Sequence, residues 1–167
     1  SEDFRFAVFA TGAFLLPQDN SGMRDIYLYD RQTQGYTLVS VSVTGSGGNA
    51  MSGGRASPQI TADGRYVFFE SLASDLVEGD INEVSDIFRY DRLTGETIMA
   101  SVSSGGLIGD KESPYFRITP DGRYLAFISY ATNLIPLGDG DDTDVFVRDM
   151  QTGYTEAITV DVNAQNT

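Results

Sequence analysis

Apolar side chains along this chain come in short blocks parted by turn-forming residues. Val67-Phe68-Phe69 and Leu125-Ala126-Phe127-Ile128 are nearly continuous apolar runs, the pattern of strands covered on both faces. A second kind of block alternates more, with Ile87 and Tyr90, then Val145 and Val147, interleaved by Phe and Arg. The pattern predicts strands over 58–61, 66–71, 86–91 and 97–103, and again over 114–119, 124–129, 144–149 and 155–162. Asp63-Gly64 and Asp121-Gly122 supply the turn chemistry of tight hairpins between first and second strands. The pairs Thr94-Gly95 and Thr152-Gly153 do the same between third and fourth.

These blocks are copies of one unit. Ile60-Thr61-Ala62-Asp63-Gly64-Arg65-Tyr66 is answered by Ile118-Thr119-Pro120-Asp121-Gly122-Arg123-Tyr124, about 58 residues on, and Asp86 to Asp91 by Asp144 to Asp149. A repeat of that length made of short strands signals a propeller or solenoid. An earlier copy is incomplete: Asp3-Phe4-Arg5-Phe6 aligns with Asp63-Gly64-Arg65-Tyr66, and Asp25 to Arg31 with Asp86 to Arg92, with no first strand before it. Phe4 stands in the glycine slot, where a side chain resists positive φ, so a tight turn is not expected there. The expected fold is all-β, a β-propeller-type array of three four-stranded antiparallel blades, the first lacking its first strand. The blades divide the chain at 1–56, 57–112 and 113–167, together one propeller-like domain. Propellers close with about four to eight blades, so three call for completion by a longer chain or by neighbouring copies.

Charge and composition narrow the function. The chain has 24 acidic against 11 basic side chains, a net of −13, which repels nucleic acid phosphates and anionic lipid. Nucleic acid and membrane insertion are therefore not expected, and no stretch approaches the ~20 apolar residues of a membrane span. The absence of His and Cys excludes Ser-His-Asp chemistry, thiolate chemistry and cysteine zinc sites. Arg recurs at repeat positions (Arg5, Arg65, Arg123; Arg31, Arg92), which points to structural pairing with carboxylates or carbonyls. Most of the 9 tyrosines and 10 phenylalanines also recur between copies, as core residues do, whereas Tyr36, Tyr130 and Tyr154 fall outside that set and suit the surface. The glycine-dense stretch 44–54 reads as a mobile surface loop.

The string Ser-Pro-x-x-Ile-Thr-Pro-Asp-Gly-Arg-Tyr-Leu-Ala-Phe, completed by Asp-Val-Phe-Val-Arg-Asp-x-Gln-Thr-Gly, resembles the WD40-like repeats of TolB-like β-propellers, and the likeness covers all three copies. Asn133-Leu134-Ile135-Pro136-Leu137-Gly138-Asp139 looks like the signature of a secreted bacterial subgroup. This resemblance implies a home outside the cytoplasm: extracellular, cell-surface or periplasmic.

Candidate chemistry sits between second and third strands. There lie Asp19, Ser21 and Asp25 in the first copy, Asp80, Asn82 and Asp86 in the second, and Asp139, Asp141, Asp142 and Asp144 in the third. Alternating side-chain oxygens over six or seven positions can wrap a hard cation that takes six to eight oxygens at ~2.3–2.6 Å, so calcium is the expected ligand. The third loop carries most carboxylates. Arg24 is placed to offset charge in the first. Asp, Asn and Gly are also ordinary turn residues, and the closing Glu of an EF-hand loop is missing. No acid pair stands apart from the repeated ones as a glycosidase would need, so no enzyme is expected. The expected function is a non-catalytic extracellular structural module. Its copies join through a strand added at the open edge near residues 5–10, forming an oligomer or filament with calcium-stabilised loops. The alternative is a segment of a larger monomeric propeller that binds a protein or glycan.

Overall fold

Eleven strands and no helix form among the residues the computed structural model describes, 1–135 and 143–159. β1 (Phe6–Thr11), β2 (Asp25–Asp30) and β3 (Gly35–Leu38) make one antiparallel sheet. β4 (Gln59–Ile60), β5 (Tyr66–Ser71), β6 (Asp86–Asp91) and β7 (Thr97–Met99) make a second, and β8 (Tyr115–Ile118), β9 (Tyr124–Ser129), β10 (Asp144–Asp149) and β11 (Thr155–Ala157) a third. Each sheet is a simple meander. The central strands match the bounds expected from the pattern, while the outer ones are shorter. β7 stops at Met99 because the next residues turn inward: Ala100 N–H bonds Ile87 O at 2.6 Å, and Ser101 Oγ accepts from Ile87 N at 3.0 Å.

Alternation along the central strands explains how the sheets stack. Val67, Phe69, Phe88 and Tyr90, on one face of the second sheet, pack with Phe6, Ile26, Leu28 and Val39 of the first. Phe68 and Ile87, on the opposite face, pack with Phe116, Leu125, Phe127 and Phe146 of the third. Successive residues of β5 thus serve two interfaces, which is why that strand has no polar face until Glu70. Glu70 is itself buried, accepting from Ser85 Oγ at 2.6 Å and Arg55 N at 3.1 Å.

The repeated arginines are structural, as their placement implied. Arg65 Nη2 meets Asp91 Oδ2 at 2.7 Å, and Arg5 pairs with Asp30 at 2.8 Å and Arg123 with Asp149 at 3.1 Å. Each staple ties the start of the second strand to the end of the third. Arg31 Nη1 donates to Phe4 O at 3.1 Å and Arg92 Nε to Gly64 O at 2.9 Å.

Phe4 does form the tight turn that its side chain was expected to resist, at φ 55°. Local hydrogen bonds outweigh the strain. In the second copy Thr61 Oγ1 donates to Asp63 Oδ1 and accepts from Tyr66 N, while Arg65 N donates to Asp63 Oδ1. Ser1 and Asp3 make the same three bonds around Phe4. The ring is left 76% exposed.

Both ends of the array present apolar side chains, and Phe9, Tyr29, Ala126, Ile128 and Val145 among them stand at positions equivalent to the buried Phe69, Tyr90, Phe68, Glu70 and Ile87. Phe9, Tyr29 and Tyr36 lie at the first sheet's outer face, with the Tyr29 and Tyr36 rings 5.1 Å apart. Ala126, Ile128, Val145 and Tyr115 line a groove at the third sheet's outer face.

Candidate cation-binding loops

The first loop, 12–24, leaves β1 at Thr11, whose Oγ1 accepts from Ala13 N at 3.1 Å, and returns to β2 at Asp25. Asp25 is buried because it opens a strand held by Ser40: Ser40 Oγ donates to Asp25 Oδ1 at 2.6 Å and accepts from Ile26 N at 2.9 Å. Its other oxygen accepts from Ser21 Oγ at 3.0 Å. Asp19, only 4% exposed, accepts the Tyr27 hydroxyl on Oδ2, while its Oδ1 is buried without a partner among the described residues. Burial, and after it the bond to Asp19, pushes the Tyr27 phenol up to about 12. Burial likewise raises the Asp25 carboxyl above its usual range, against the two serine hydrogen bonds and with help from Asp19.

Gly47 completes this wall. A β-carbon there would lie 3.1 Å from Asp25 Oδ2, 3.2 Å from Asp19 Oδ1 and 3.2 Å from Ser21 Oγ. Three oxygens therefore surround one spot that glycine leaves open. The stretch 44–54 is only in part a surface loop: Thr44, Gly45, Asn49, Met51 and Gly54 are exposed, but Gly47, Gly48, Ser52 and Gly53 are buried, Gly47 N bonds Gln18 O at 3.2 Å, and Ser52 N bonds Arg24 O at 2.8 Å.

In the second loop, 72–85, the same frame is filled differently. Asp86 accepts from Ser101 Oγ at 2.6 Å and from Asn82 Nδ2 at 2.7 Å, and that amide also donates to Gly109 O at 2.9 Å. Two acceptors around Nδ2 fix the orientation of the amide. Burial pushes Asp86 up to about 6 and raises Asp80, whose Oδ1 is buried without a partner among the described residues. Phe88 stands where Tyr27 stands in the first copy.

In the third loop Asp139, Asp141 and Asp142 lie outside the described residues. Asp144 repeats the strand-opening frame, accepting from Thr159 Oγ1 at 2.8 Å while Val145 N donates to the same hydroxyl at 2.8 Å. Ser40, Ser101 and Thr159, each fifteen residues after its aspartate, were not singled out from the sequence, though the constant spacing was there to find. Gly47 carried no such signal. Arg24 is exposed and makes no ion pair among the described residues. Nor do three or more acidic side chains converge among them; the first loop brings together two carboxylates and a hydroxyl.

No protein-family model matches the chain, and no curated protein matches it. Solved structures do. A putative TolB from Agrobacterium tumefaciens superposes with a TM-score of 0.57 at 18% identity, over 95% of this chain and 47% of that one. TolB from Acinetobacter baumannii gives 0.57 at 19%, over 95% and 31%. Oligogalacturonate lyase from Vibrio parahaemolyticus gives 0.52 at 19%, over 95% and 38%. The chain spans less than half the length of each, and at such identity the likeness establishes the fold alone, that of TolB-like β-propellers.

Proposed function

We propose that this TolB-like propeller sector is a non-catalytic structural module, working outside the cytoplasm, that joins its open end to a second copy of the chain. The observation that carries the reading is an unpaired edge. β5 and β9 each pair on both sides, with β4 and β6 and with β8 and β10, whereas β1 pairs among the described residues only with β2. Such an edge is a template for an incoming strand, with backbone hydrogen bonds supplying affinity. Beside it, Phe9, Tyr36 and the exposed Phe4 offer apolar surface to the blade that brings the strand. The outer face of the third sheet is the complementary partner, because its equivalents in the first two sheets already cover their neighbours. Such a contact is head-to-tail, giving a ring if it closes and a filament if it does not.

A non-catalytic role is supported by what the acids do: Asp30, Asp91 and Asp149 hold arginines, and Asp25, Asp86 and Asp144 hold the third strands. A second reading is favoured by the coverage of the TolB structures: the missing blades belong to a longer polypeptide, a monomeric propeller that binds a protein or glycan.

Light scattering after size exclusion, over a hundredfold range of concentration, together with hydrogen exchange along β1, tests the proposal. Assemblies in which the β1 amides are slow to exchange are expected. A monomer at every concentration, with β1 exchanging freely, overturns self-assembly and leaves the second reading.

A further inference from the structure

We infer that the first loop, closed by Gly47, is a binding site for a hard divalent cation of calcium's class, with Asp19 Oδ1, Ser21 Oγ and Asp25 Oδ2 as its side-chain ligands. This goes beyond the assembly reading and does not depend on it. The argument rests on three features that coincide at one point. The oxygens converge, all within 3.2 Å of the place a Gly47 β-carbon would take, and Ser21 Oγ and Asp25 Oδ2 are 3.0 Å apart, about the spacing of adjacent ligands held at ~2.4 Å. Asp19 Oδ1 is aimed into that spot and is a buried carboxylate oxygen without a partner among the described residues, a costly arrangement unless something positive meets it. And Asp19 is held in place from behind, since the Tyr27 hydroxyl bonds its other oxygen, the kind of outer support that orients a metal ligand.

The second loop keeps a carboxylate oxygen orphaned among the described residues, on Asp80, and differs in what stands beside it. There Asn82 takes the place of Ser21, and its amide nitrogen lies between Asp86 Oδ2 and Gly109 O, donating to both. Gly48 and Gly109 are equivalent, each lying close against the alanine of the following strand turn, Ala73 and Ala131, so the residue in Gly47's place is Ile108. Thus the second copy has an amide bridging Asp86 and Gly109 and an isoleucine at the position of Gly47, where the first copy has a hydroxyl and a glycine. Carboxylates supply the charge, and a mixed carboxylate and hydroxyl set suits calcium, which tolerates irregular geometry and completes its shell with carbonyls and water, better than magnesium. An ion here would tie together the first loop, the start of β2 and the 44–54 segment.

Terbium luminescence on the full 167-residue chain tests this, because an ion on Asp19 lies next to the Tyr27 ring, which sensitises it. We expect saturable terbium emission on tyrosine excitation, displaced by calcium chloride and far less by magnesium chloride, and a calcium-dependent rise in melting temperature. Gly47→Ala, which puts a methyl group among the three oxygens at a position without positive φ, is expected to weaken both responses by about tenfold or more. Ser21→Asn, which copies the second loop, should do the same, and it decides the matter if Gly47→Ala does not fold in chelator. Emission and melting shift that are absent in the parent chain, or that survive both substitutions at full strength, overturn the site.

Discussion

Gly64 lies so close to Phe6 of the preceding blade that a β-carbon there would sit 2.3 Å from Phe6 Cδ2. Gly122 stands in the same relation to Thr61 Cγ2, at 2.5 Å. Both glycines also have positive φ, 73° and 69°. The turn is therefore a packing device as well as a reversal of the chain: the absence of a side chain lets one blade seat on the last.

Gly64→Ala should cost about 2–4 kcal/mol, combining left-handed strain with overpacking against Phe6. Phe4→Gly, in the equivalent slot of the first blade, should cost nothing and gain up to about 1 kcal/mol, since the ring is 76% exposed and gives up little contact within the chain. Urea unfolding of the two variants checks both, and equal losses would show that the slot is governed by the turn alone.

Acid should loosen the staples. The hydrogen bond from Arg5 holds Asp30 at about 2, and Arg65 and Arg123 lower Asp91 and Asp149 in the same way. Because these folded carboxyls bind protons less readily than the ordinary unfolded carboxyl near 3.9, their contribution is complete above about pH 5 and is lost as pH falls toward 2. The melting temperature is expected to drop over that window, less steeply in Asp91→Asn than in the parent. Parallel acid curves would remove the staple from the account.

Ser71 is buried with Ser52, Oγ to Oγ 2.8 Å, and accepts from Ala73 N at 3.0 Å. Ser71→Ala strands both partners, so a loss of about 1–3 kcal/mol is expected in denaturant titration. Adding Ser52→Ala should cost less than Ser52→Ala alone, because one orphaned hydroxyl is then removed.

Ile128→Arg places a charge on the open face of the third sheet without disturbing the cluster formed by Phe116, Leu125, Phe127 and Phe146. Assemblies seen by light scattering should fall to the mass of one chain while the melting temperature of that chain stays within a few degrees. Undiminished assembly would move the contact elsewhere.

What the chain's sequence determined by itself is whatever repeats locally: the alternation that assigns Phe68 and Phe69 to opposite faces, the Asp-Gly turns, the arginine positions, and so the three-sheet array. These are readable because period, turn chemistry and charge spacing act over a few residues. Tertiary structure alone decided the rest. Phe4 adopts its turn because Ser1 and Asp3 hold it there, Gly47 comes against Asp19 from 28 residues away, and Asn82 and Ser21, each donating to its aspartate, differ because the Asn82 amide also reaches across to Gly109 O while the shorter Ser21 presents its oxygen beside Gly47. A cation responds to how many oxygens meet at one point and to what has been kept out of it. That is a property of the packed fold, set by contacts between segments far apart in the chain.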